Sequence, residues 1–95
     1  MSVIENIMNI PAEHEKNVFG SFDGNIKKIE RTLHVTVIAR DSQVKIIGSD
    51  VAAKRARSVF EQLIELSKRG NTITEQNVDY ALSLSYDNKE SALWT

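Results

Sequence analysis

The sequence predicts a two-layer α+β sandwich, a small sheet with helices on one face. Three observations predict it. Residues 34–48, "HVTVIARDSQVKIIG", hold two β-branched, alternating runs joined by a polar pair, the pattern of a hairpin. Helical periodicity precedes the hairpin, with Ile26, Ile29 and Leu33 on one stripe. It follows the hairpin too, in a longer run ending "VFEQLIELSKRG". A hairpin flanked by amphipathic helices buries itself most simply by laying them on one sheet face.

The elements follow in order. Residues 3–10, "VIENIMNI", set Ile4, Met8 and Ile10 against Glu5, Asn6 and Asn9, a pattern that suits a strand or a short helix. Pro11 breaks this segment and suits the first turn of a helix. "AEHEKNVFG" then reads as a short helix with Val18 and Phe19 inward and Gly20 as its C-cap. Asp23 is placed to cap the next helix through its carboxylate. After the hairpin, Ser49-Asp50 is a capping pair for a helix over residues 50–69, with Ala52, Ala56, Val59, Phe60, Leu63 and Ile64 inward. Lys68 and Arg69 complement its dipole and Gly70 ends it. A final helix starts near Thr74, with Val78, Ala81 and Leu82 inward. Residues 1–88 read as one domain and 89–95 as a tail or the start of a linker. The order is strand, helix, helix, strand, strand, helix, helix, and it leaves one sheet face uncovered.

Composition narrows the chemistry. Ninety-five residues suffice for one modest core. With no cysteine, disulfides, thiolate catalysis and Cys-based metal sites are excluded. The net charge of −1 argues against strong non-specific binding to nucleic acid, but its distribution is uneven. Residues 49–69 carry five Lys or Arg against three acids, and residues 70–95 carry one against four. No run is long and apolar enough to span a bilayer, and the N-terminus lacks the pattern of a secretory signal, so the chain reads as cytoplasmic with no membrane partner.

No catalytic constellation assembles. His14 and His34 are the only histidines and read as surface or boundary residues. Neither a metal-binding spacing nor a Walker A loop occurs, so the chain is expected to hold no metal and to be no enzyme by itself.

The informative stretch is "FGSFDGNIKKIER", residues 19–31, two glycines feeding a helix that opens with a basic pair. Glycines let a phosphate approach the main chain, and a helix N-terminus offers N–H donors and positive potential. "VFGSFDGNIKKIERTLHVTVIA" resembles the KH domain, whose type I order is β-α-α-β-β-α and whose G-x-x-G loop clamps a nucleic-acid backbone. Gly20 matches the first glycine, Asp23 stands where the second falls, and Gly24 comes one place later. The loop also lacks a basic residue, since Ser21-Phe22 carry no charge.

The whole chain resembles more specifically the N-terminal KH-like domain of PhoH-like ATPases. The matching residues are Phe19-Gly20, Asn25, Ile29-Glu30, Leu33, Val35, Val37, Ala39-Arg40, Ile47-Gly48, Arg69-Gly70, Ile73-Thr74, Val78 and Ala81. The resemblance implies a KH-like type I fold with an extra C-terminal helix. It also implies a parent protein with a P-loop ATPase domain using ATP and Mg, in which this segment is accessory. Under that resemblance the chain is a weak module for single-stranded RNA, with Gly20, Gly24, Asn25, Lys27, Lys28 and Arg31 at the loop and Arg40 as the opposite wall. The alternative is a protein-interaction or oligomerisation domain that positions the ATPase without RNA, the parent itself forming a homo-oligomer. Two assignments stay open: the Lys27-Lys28 pair also fits a solvated helix face, and Trp94 either docks on the ATPase domain or folds back on its own domain.

Overall fold

The computed structural model describes the backbone of residues 2–94 and the side chains of residues 2–86. Three strands, β1 (Ile4–Asn9), β2 (Thr36–Arg40) and β3 (Gln43–Gly48), form one antiparallel sheet in the order β1-β3-β2. Four α-helices, α1 (Glu15–Phe19), α2 (Gly24–Leu33), α3 (Asp50–Lys68) and α4 (Glu75–Trp94), complete the expected β-α-α-β-β-α order with one added helix.

Period-two patterning decides the sheet. Val44 and Ile46 of β3 and Met8 of β1 point into the core and are buried. The hairpin places Ala39 opposite Val44 and Val37 opposite Ile46. Its turn residues Asp41 and Ser42 both have positive φ, 53° and 60°, the twist that joins two strands by two residues. The ambiguous segment 3–10 resolves as a strand because β3 offers it an edge, pairing Ile4 with Gly48 through Asn9 with Gln43.

The core lies between sheet and helices. Phe60 and Leu63 of α3, Ile29 of α2, Val18 of α1 and Val78 of α4 are fully buried. Burying such side chains contributes roughly 1.5–3 kcal/mol each. The inward face of α3 differs by one position from the expectation, because Ala53 is fully buried and Ala52 only partly so. Both helix ends are closed as the sequence implies. Ser49 Oγ accepts the Ala52 N–H at 3.2 Å. At the other end Gly70 takes φ +92°, and the N–H groups of Gly70 and Asn71 return to the carbonyls of Ser67 and Leu66, a Schellman motif.

The first helical segment departs from the reading. Pro11 is extended and caps a short 3₁₀ turn over Ala12–His14, and α1 begins only at Glu15. The final helix runs over Glu75–Trp94, into the residues 89–95 read as a tail or linker start. Trp94's expected docking role lies outside the described side chains.

Candidate nucleic-acid interface

The turn between α1 and α2 is built by backbone strain. Gly20 ends α1 with φ +81°, beyond what a side chain tolerates. Phe22 (φ 53°) and Asp23 (φ 57°) are consecutive left-handed residues carrying side chains, each costing about 1–3 kcal/mol unless the surroundings hold it. The Asp23 N–H closes on the Gly20 carbonyl at 3.1 Å. In this conformation Asp23 occupies the N-cap position of α2 without capping it, since its carboxylate makes no hydrogen bond to the helix. The expected cap is therefore absent, and the first turn of α2 has no side-chain cap.

Asn25 fixes the turn from behind. Its Nδ2 donates to the Val18 carbonyl at 3.0 Å, tying the start of α2 to the end of α1. The amide stands against Gly20, where a Cβ would come within 2.9 Å of its Cγ and Nδ2. The Asn25 amide N–H is thus engaged in the fold rather than presented to a ligand.

A groove of about 490 Å³ opens beside this turn, lined by Ser21, Gly24, Asn25, Lys28, Arg31 and Glu75. It brings together four of the expected residues: Gly24, Asn25, Lys28 and Arg31. Gly20 lies behind it, against Asn25. Lys27 is exposed on α2 outside the lining. Arg40 is not the opposite wall. It lines a separate hollow with Ile38, Asp41, Gln43 and Lys45 on the open face of the sheet.

The charges in the groove are partly compensated. Lys28 Nζ donates to Glu75 Oε2 at 3.0 Å and also pairs with Asp79, so α2 is bound to α4. These partners, Asp79 first and Glu75 second, hold the Lys28 ammonium above its ordinary 10.5. Arg31 and Lys27 form no ion pair among the described residues. The basic cluster on α3 is engaged elsewhere. Lys54 pairs with Asp50 and Arg57 with Glu61, while the Arg55 guanidinium lies 4.7 Å from the Tyr86 ring centre.

Phe22 is the residue that sequence reasoning missed. Its side chain is 94% exposed, one residue along the chain from Ser21, which lines the groove. A phenylalanine usually signals burial, but this one stands between Ser21 and Asp23 on left-handed backbone and is exposed. The histidines do no chemistry of the groove. His14 Nδ1 lies 2.7 Å from Ser67 Oγ, inside a polar cluster that also holds Asn17.

Comparison with known proteins places this arrangement. No family model matches the chain. A PhoH-like protein of Bacillus subtilis is 27% identical over 73 residues, 77% of this chain and 23% of its own length. PhoH-like proteins of Mycobacterium bovis and Mycobacterium tuberculosis are 24% identical over 81 residues, 85% of this chain and again 23% of theirs. The chain thus spans about a quarter of the length of these relatives. Its fold is also that of part of a crystal structure of a protein of unknown function from Aeropyrum pernix. That match has a TM-score of 0.70 at 15% identity and covers 97% of this chain and 51% of the other. Through the segment carrying the glycine turn, the hairpin and α3, the chain is related to the PhoH-like proteins.

Proposed function

We propose that the chain is a non-catalytic, KH-like accessory domain of a PhoH-like protein, and that it binds single-stranded RNA weakly through the groove beside the α1–α2 turn. The observation that carries this reading is Phe22: a fully exposed aromatic side chain on strained backbone, one residue from Ser21, which lines a groove with Lys28 and Arg31. Single-stranded nucleic acids are held by such a combination, with bases stacking on an aromatic ring while cations track the backbone. The uncapped first turn of α2 adds N–H donors for a phosphate. Lys27 and Arg31 supply the cations not already paired, and Arg40 falls outside the site. ATP and Mg would belong to an ATPase domain elsewhere in the parent.

The test is fluorescence anisotropy of short single-stranded RNAs across a salt series. Saturable binding is expected, weakening with salt and with the Lys27→Ala/Arg31→Ala double variant. Absence of binding at low salt and high protein concentration contradicts it.

The second reading, a protein-interaction domain that positions the ATPase, is favoured by one observation. Glu75 and Asp79 already satisfy Lys28. Under this reading Phe22 anchors in a pocket of the ATPase domain.

A further inference from the structure

The two edges of the sheet are treated differently. At the β2 edge, the Val37 N–H points outward and donates to Glu30 Oε2 at 2.8 Å, while the Val35 N–H bonds the Glu30 carbonyl. The end of α2 thereby covers the start of that edge, at Val35 and Val37, as proteins commonly protect an edge strand.

The β1 edge has no such cover among the described residues. Its outward groups follow from alternation in antiparallel ladders. Because Val37 faces away from β3, its partner Ile46 faces β1, and so Asn6, which pairs with Ile46, faces inward. The Ile10 N–H, donating to the Ser42 carbonyl at 2.9 Å, has the same parity. The outward backbone groups of β1 are therefore those of Glu5, Ile7 and Asn9. Among the described residues none of these groups has a hydrogen-bond partner, and an open groove of about 390 Å³ between β1 and α3 runs beside them.

We infer that β1 pairs with β1 of a second copy, antiparallel about a two-fold axis through Ile7. Two registers match outward groups with outward groups and overlay most of the strand. One is centred on Asn6 and sets Glu5 against Ile7 of the second copy, an acid against an apolar side chain. The other is centred on Ile7. It sets Ile7 against Ile7 and Glu5 against Asn9 of the second copy, opposing no like charges and pairing a carboxylate with an amide. Cross-strand pairs of this kind favour the second register. Ile7 is 49% exposed on the uncovered sheet face, and it shares a row with Lys45 and Ile38. Pairing makes a six-stranded sheet and extends that row across both copies. It is an isologous contact that closes at two copies. This edge is separate from the RNA groove, so either proposal can fail without the other.

The test is solution mass by light scattering on the whole chain over a range of concentrations, with Ile7→Lys and Ile38→Lys. The expected result is a mass approaching twice that of one chain as concentration rises. Ile7→Lys, which opposes two ammonium groups at the axis, should be monomeric, whereas Ile38→Lys should remain dimeric. A wild-type mass of one chain at every concentration overturns the inference, as does a dimeric Ile7→Lys. Amide exchange on the unsubstituted chain decides the matter if Ile7→Lys fails to fold. Protection of the Ile7 N–H that increases with concentration supports the pairing, and fast exchange throughout overturns it.

Discussion

The side-chain amide of Asn25 occupies the space that any side chain at Gly20 would need. A Cβ there would lie 2.9 Å from Asn25 Cγ and Nδ2, and the Gly20 φ of +81° already excludes ordinary residues. Gly20→Ala should therefore destabilise the domain by about 1–3 kcal/mol. By contrast, Gly24 has ordinary helical geometry and open space around it, so Gly24→Ala should be neutral or stabilising by up to about 1 kcal/mol. Urea denaturation of the two variants checks both. A cycle with Asn25→Ala should show coupling at Gly20 and none at Gly24.

Asn17 holds the loop between α3 and α4. Its Nδ2 donates to Ser67 Oγ at 2.9 Å and to the Asn71 carbonyl at 2.8 Å, while its Oδ1 accepts the Ile73 N–H at 2.9 Å. Asn17→Ala removes all three bonds at once and leaves the part-buried Ile73 N–H without its partner, while Ser67 Oγ keeps its contact with His14. The loss should be about 1–3 kcal/mol, with faster amide exchange at Ile73 as the local signature.

The attachment of α4 to α2 through Lys28 should depend on pH in one direction. Its folded-state pKa is raised, so its stabilisation is fully present below the ordinary lysine value of 10.5 and disappears as pH rises through the folded value. Wild type and Asp79→Asn should differ in melting temperature at neutral pH and converge in strong alkali. Removing both acids, as Glu75→Gln/Asp79→Asn, frees the Lys28 cation in the groove, since Glu75 alone would still hold it. RNA affinity should rise severalfold, and the slope of log affinity against log salt should steepen by about 0.7 for one added phosphate contact.

Phe22 should matter to RNA and not to folding. Phe22→Ala should weaken RNA binding by about 1–3 kcal/mol, the usual contribution of one stacked base. Phe22→Tyr should retain affinity and Phe22→Leu should not, since stacking needs the ring. With the side chain exposed, all three should melt close to wild type; anisotropy and thermal melts distinguish these effects.

The fold was legible where one residue pattern sufficed. The hairpin announced itself through the alternation of Val35, Val37, Val44 and Ile46, and α2 through Ile26, Ile29 and Leu33, because those periods are set by backbone geometry alone. Segment 3–10 was ambiguous because its choice of strand depends on β3, a partner far along the chain. The one-position shift from Ala52 to Ala53 has a similar origin, since packing on the sheet decides which stripe of α3 turns inward. The site was legible in its position and not in its charges. Gly24, Asn25, Lys28 and Arg31 line one groove, while Lys27 and Arg40, grouped with them under the resemblance, do not. The partners of Lys28, however, lie on α4, with Glu75 separated from it by 47 residues. The exposure of Phe22 and the idle carboxylate of Asp23 both follow from left-handed backbone at residues with no glycine to suggest it.

The most direct measurement is mapping of backbone amide shifts during titration with a short single-stranded RNA. The account predicts changes that saturate together and cluster at Ser21–Arg31, with Phe22 and Arg31 among the largest and the β1 edge unmoved. Shifts confined to other surfaces, or none at low salt, would contradict the assignment of this groove to RNA.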